Sequence, residues 1–148
     1  MIGFYQLREA IINKINAEIE ESGDPQITKV AGAYWSPADI AGQPAVVVTP
    51  DNSESSYENT AGGRRRTYVF RCYVLKNVES EKQTDVEQLL SKAADELVAY
   101  FDKKDALVVE GLIFVRPMPS VWEWVEMGTG EARVATFTIQ CVVIEETT

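Results

Sequence analysis

Between Phe4 and Glu20, the apolar residues Phe4, Leu7, Ile11, Ile15 and Ile19 recur every three or four positions, and Ile12 widens the stripe. That period predicts an amphipathic helix with one buried face. Arg8, Glu9, Asn13, Lys14, Glu18 and Glu20 populate its other side. Ser22-Gly23-Asp24-Pro25 ends the helix, because glycine suits the C-terminal turn and proline cannot continue the hydrogen-bond ladder. A second helix is predicted to begin at Thr84. Thr84 and Glu87 have capping-box spacing, and Asp85 places negative charge in the first turn. Val86, Leu89, Leu90, Ala93, Ala94, Leu97, Val98 and Phe101 form its broad apolar face. Lys103 and Lys104 stand at its C-terminal end, where cations suit the helix dipole.

Between and after the helices the period changes to two. In Arg64–Lys76, Tyr68, Phe70, Cys72 and Val74 fall on one face, and Thr67, Arg71 and Tyr73 on the other. A strand with one apolar and one mixed face belongs to a sheet covered on one side. Residues 133–144 repeat the pattern: Ala135, Phe137, Ile139, Cys141 and Val143 against Val134, Thr136, Thr138, Gln140, Val142 and Ile144. Ala45–Thr49 is a short apolar strand between Pro44 and Pro50, which favours an edge or near-edge place. Ile27–Tyr34 is a weaker strand, since Gly32 and its alanines lower the propensity. A further strand region spans 107–116, with Gly111 at a bend or bulge, followed by the tryptophan-bearing segment 117–125 and a turn over 126–131.

Two connections stand out. Residues 35–44 hold Trp35 and Ile40, apolar side chains that need cover, so this loop is expected to lie against the domain. Asp51–Gly63 is polar or small almost throughout and exceeds a minimal hairpin turn. It reads either as a mobile surface loop or as an arm that orders against a partner, with Tyr57 as its apolar anchor. The expected fold is α+β: one domain over 1–148, two amphipathic helices on a mainly antiparallel or mixed sheet, a long polar β–β loop, and a mobile arm at about 51–66.

Composition narrows the functions. A chain of 148 residues that is 45% hydrophobic can build one real core. No apolar run approaches the roughly 18 residues of a membrane span. The first residues lack the basic-then-apolar pattern of a signal peptide. The formal charge of −9 falls mainly on the second half, where seven Lys/Arg face fourteen Asp/Glu in residues 75–148. That balance argues against generic nucleic-acid affinity, which needs concentrated positive charge. Cys72 and Cys141 sit inside apolar strand patterns and read as buried free thiols on neighbouring strands, ahead of a disulfide or a reactive thiol.

Catalytic signatures are missing. The chain contains no histidine, and the Asp51, Glu54 and Glu58 carboxylates lack calcium-loop spacing. Gly62-Gly63 is too short for a phosphate loop or dinucleotide fingerprint. No metal, cofactor or catalytic residue is therefore assigned. Arg64-Arg65-Arg66 reads as a solvated strand start, as a docking element for an acidic neighbouring subunit, or as a phosphate contact. Trp122 and Trp124 share a face in extended backbone, and either close one end of the core or anchor a subunit contact.

The order of these segments resembles the tail terminator, or tail completion, proteins of long-tailed bacteriophages, a group that includes minor tail and head–tail joining proteins. The resemblance is carried by Leu7–Ile11, Tyr34-Trp35-Ser36-Pro37, Gly42–Val48, the polar loop leading into Arg66–Phe70, Asp85-Val86-Glu87 and Arg133–Phe137. It implies a non-catalytic virion subunit that closes into a six-membered ring on the head-proximal end of the tail tube. Such a ring is assembled in the host cytoplasm. It ends tube polymerisation and provides the head-attachment surface. The implied partners are further copies of the chain, the major tail tube protein and the head–tail connector; genomic DNA passes through without sequence-specific binding, and no membrane is involved. On that reading Asp51, Glu54, Tyr57, Glu58, Arg64, Arg65 and Arg66 become candidate neighbour or tube contacts, and Trp122 and Trp124 a buried contact. Two alternatives remain: a neck protein adjoining the portal, and a non-viral cytoplasmic protein-binding module.

Overall fold

The computed structural model describes residues 3–20, 26–57, 63–77, 83–103, 106–110, 112–127 and 130–146. Two helices, α1 (Phe4–Glu20) and α2 (Gln83–Phe101), pack on one open five-stranded sheet. The strands are β1 (Gly32–Tyr34), β2 (Ala45–Tyr57), β3 (Gly63–Asn77), β4 (Leu112–Met127) and β5 (Gly130–Glu146). Their order across the sheet is β1-β2-β3-β5-β4, with β1 and β2 parallel and every other pair antiparallel.

Both helices land on the same face. Leu7, Ile11, Ile12 and Ile15 of α1 are buried together with Val86, Leu90, Ala93, Leu97, Tyr100 and Phe101 of α2. Beneath them lie Val46 and Val48 of β2, Tyr68, Phe70, Cys72 and Val74 of β3, and Ala135, Phe137, Ile139, Cys141 and Val143 of β5. The period-two rows read from β3 and β5 are thus the rows that meet the helices. The ring of Phe4 stands edge-on to Tyr68 and Phe70, with centroids 4.8 and 5.5 Å away, and ties the start of α1 to the central strand. The α2 segment carries the chain from β3 over β5 to the parallel strand β4, the crossover such a connection requires.

The other face holds a smaller apolar cluster of Val47, Leu75 and Val134, with Ile40 and Tyr73 packed against it. Ile40 belongs to the connection from β1 to β2, which crosses on this side through a short 3-10 turn at Pro37–Asp39 and a cis Gln43–Pro44 bond. Gln43 Oε1 accepts the Asn77 backbone N–H at 2.9 Å, and Pro44 O accepts that of Ala31 at 2.7 Å. The loop therefore lies against the domain as its apolar residues require.

Several boundaries differ from expectation. The polar run Asp51–Tyr57 is strand rather than loop, because β2 continues past a register shift at Pro50/Asn52 and pairs with β3 as far as Tyr57–Arg64. Backbone pairing to a central strand prevails over the low strand propensity of Asp, Asn and Ser. Glu58 and the rest of 58–62 lie outside the described residues. Only Gly32–Tyr34 of the 27–34 segment is strand. Helix α2 begins at Gln83, so Thr84 falls inside its first turn rather than before it. Leu107–Val109 precede β4, and β4 then continues through Pro117 and Pro119, which its outermost place in the sheet permits, with register shifts between Leu112 and Phe114 and between Pro119 and Trp122.

Phe70 has no exposed surface and Val108 is 82% exposed. Phe70→Ala should therefore cost about 3–5 kcal/mol of unfolding free energy in urea titration. Val108→Ser should stay within about 0.5 kcal/mol of the parent.

Candidate functional site

The sequence-predicted contact residues fall into two groups at opposite ends of the sheet. Arg64, Arg65 and Arg66 are mid-sheet positions of β3: they pair with Tyr57, Ser56 and Ser55 on β2, and with Glu145, Ile144 and Val143 on β5. They stand at the start of β3, where Arg65 and Arg66 are half-buried. Arg66 donates to the Tyr68 hydroxyl at 3.3 Å, and its guanidinium stands 6.0 Å from that ring's centroid. Glu54 lies opposite Thr67 in the same ladder. Asp51 is exposed at the register shift and sits 3.7 Å from Arg71.

Trp122 and Trp124 pair with Ala135 and Arg133, near the start of β5. Trp122 is registered with Ala135 and Arg66 with Val143, eight residues further along β5. At about 3.4 Å per residue this separates the two groups by roughly 27 Å. They are two separate candidate contact regions.

Between them the face opposite the helices is only partly covered. Thr67, Val69, Arg71, Thr138 and Gln140 are half-buried, while Arg116, Met118 and Ile144 are exposed. Register places them in rows: Arg71 beside Thr138 and Met118, and Val69 beside Gln140 and Arg116. Guanidinium groups among hydroxyls and short apolar side chains make a surface able to pair with carboxylates and exclude water around them.

Four polar residues have structural work that their spacing does not reveal. Arg8, on the nominally polar side of α1, donates to the backbone oxygens of Val48 (2.6 Å) and Trp35, and stacks 4.6 Å over the Trp35 ring. Burial lowers its pKa from the ordinary arginine value. The amide of Asn16 bonds both backbone groups of Ala33, donating at 3.1 Å and accepting at 2.8 Å, and so covers the outer side of β1. The Glu96 carboxylate accepts from the Thr28 and Lys29 backbone N–H groups and the Thr28 hydroxyl at 2.6–3.0 Å. Arg133 is 2% exposed and lies 3.5 Å from Glu87 of α2. Each depends on contacts from a distant segment, so no local motif marks it.

Cys72 and Cys141 are free, buried thiols on neighbouring strands. Burial raises both pKa values, that of Cys141 to about 12; the neighbouring Cys141 adds to the rise at Cys72. Thiols held in this state are poor nucleophiles. Among the described residues no three His, Cys, Asp or Glu side chains stand together as metal ligands, and no helix is long and apolar enough to cross a membrane. No protein-family model matches the chain, and no curated protein matches it.

The thiol pKa values give a pH prediction with a definite sign. The unfolded chain loses thiol protons near pH 8.5 while the folded chain keeps them, so the unfolded state binds fewer protons above that pH. The thiol contribution should be constant below about pH 8, then fall as pH rises from about 8.5 towards 12. Denaturant titrations should show this decline, and Cys72→Ala/Cys141→Ala should lessen it. Native protein should react with a thiol reagent only at its opening rate.

Proposed function

We propose that the chain is a structural virion subunit that closes into a ring, six-membered as the resemblance implies, at the head-proximal end of a tail tube. The ring ends tube polymerisation and offers the surface on which the head connector docks. The segment order that resembles tail terminators supports this reading. The structural observation that carries it is the one-sided sheet: two helices cover one face, and the other, which carries Arg71, Arg116, Met118, Thr138, Gln140 and Ile144, is only partly covered.

A ring subunit needs two different surfaces that meet head to tail, and further surface for the tube and the head. The separation of Arg64–Arg66 from Trp122 and Trp124 suits such a division. Asp51, Glu54, Tyr57 and the arginines serve as the neighbour or tube contact, and the tryptophans as the second contact. Their roles are recognition and geometry rather than catalysis. A charge of −9 suits a ring through which DNA moves without sticking.

Electron microscopy of the purified protein mixed with tail tubes tests the reading. Six-fold rings, or a cap on one tube end, are the expected result. A stable monomer that never decorates tube ends would overturn it, and binding to portal complexes in place of tubes would move the protein to the neck. Joint replacement of Arg64, Arg65 and Arg66 by Ser should weaken ring or tube association more than it lowers the unfolding midpoint. Equal loss of both would make the arginines determinants of the fold.

A further inference from the structure

Helix α2 has a second face that the core does not use. Asp85, Gln88, Lys92, Asp95 and Ala99 are exposed at spacings of three and four, and Asp102 continues the stripe just past the helix end. Three of the six are acidic and one is alanine. The stripe looks away from the sheet, since Val86, Leu90, Ala93 and Leu97 of the same helix are buried against it. On the opposite side of the molecule lies the half-exposed sheet face with Arg71 and Arg116.

The spacings of these charges agree. Asp95 and Asp102 are seven residues apart, about 10.5 Å along the helix axis. Arg71 is registered with Thr138 and Arg116 with Gln140, so the arginines are two residues apart along the sheet and two strands apart across it. That is about 12 Å between their backbones. Thr138 and Gln140 lie between the arginines, as Ala99 lies between the aspartates; a short side chain there lets helix and sheet approach closely.

We propose that α2 of one copy docks on the open sheet face of the next, with Asp95 and Asp102 meeting Arg71 and Arg116, and Ala99 over Thr138 and Gln140. The occupant is a second copy of this chain because the complementary charges belong to the same molecule and lie on its opposite sides. Two arginines, one of them 3.7 Å from Asp51, fall short of the concentrated positive surface that a phosphate backbone needs. Two different surfaces meet, so the contact repeats in one direction and produces a ring where the rotation closes. This names the neighbour contact of the proposed ring and rests on that reading for its closure.

The test is a pair of variants whose solution mass is measured by light scattering or sedimentation, alone and mixed. Arg71→Glu/Arg116→Glu damages the sheet face and keeps α2, while Asp95→Lys/Asp102→Lys does the reverse. Each should weaken self-association by roughly 100-fold or more, and added salt should weaken the parent contact. Mixed, they should recover association, because α2 of the first variant meets the sheet face of the second, and the two charge-reversed surfaces are again of opposite sign to each other. Circular dichroism and the unfolding midpoint check folding, and Arg71→Gln/Arg116→Gln replaces the charge reversal if that variant unfolds.

Variants that still assemble like the parent, or a mixture that stays monomeric, would overturn the contact while leaving a ring built otherwise. A parent that stays monomeric both alone and with tail tubes would overturn the contact and the ring together. Arginine-dependent capture of duplex DNA by such a monomer would reassign the face to nucleic acid.

Discussion

Burial of two amphipathic helices on the same face of one sheet is the constraint on which the other features depend. Phe70 lies at its centre, fully buried on β3 and touched edge-on by Phe4. Once Tyr68, Phe70, Cys72 and Val74 face the helices, the two-residue period sends Thr67, Val69, Arg71 and Tyr73 to the other side. A one-residue slip of β3 would bury Arg71 under the helices and expose Phe70. The apolar rows thus specify the register and, through it, the composition of the open face.

Apolar stripes alone leave the helices free to slide, and the polar contacts remove that freedom. Arg8 joins α1 to β2 and to Trp35, Asn16 joins it to β1, and Glu96 joins α2 to the segment before β1. In all three, backbone groups are matched by side chains from a helix, so each helix is held at a defined height on the sheet. Arg133 adds a charge beneath α2 with Glu87 beside it. Such a pair contributes little to net stability, since Arg133 loses its hydration when the helix seats while the Glu87 side chain stays 41% exposed.

The sequence was most legible where a period was long and chemically pure. The Phe4–Glu20 and Gln83–Phe101 helices and the β3 and β5 rows follow directly from spacing, because burial repeats along each segment. Asp51–Tyr57 was not legible as strand, since its residues favour turns and only the neighbouring backbone of β3 recruits them. The length of β4 was hidden similarly by Pro117 and Pro119, whose tolerance depends on a sheet position no local pattern records. For the candidate site, residue types were legible but placement was not. Arg64–Arg66 and the two tryptophans proved to be at opposite ends of the sheet, and the arginine–threonine–glutamine face required the pairing of β3, β5 and β4 before it existed as a surface.

The prolines of β4 have a consequence for how copies of this chain can meet. An outermost strand of 16 residues would ordinarily template another strand, and that process, once begun, has no built-in end. Pro117 and Pro119 stand two residues apart, so both lack an N–H on the same side, and strand prolines keep that side towards the free edge. At the other margin β1 is three residues long, and Asn16 occupies both backbone groups of its middle residue. Growth by strand addition is thereby discouraged along β4 and along β1, and there association is directed to side-chain surfaces, where a finite number of copies can be counted.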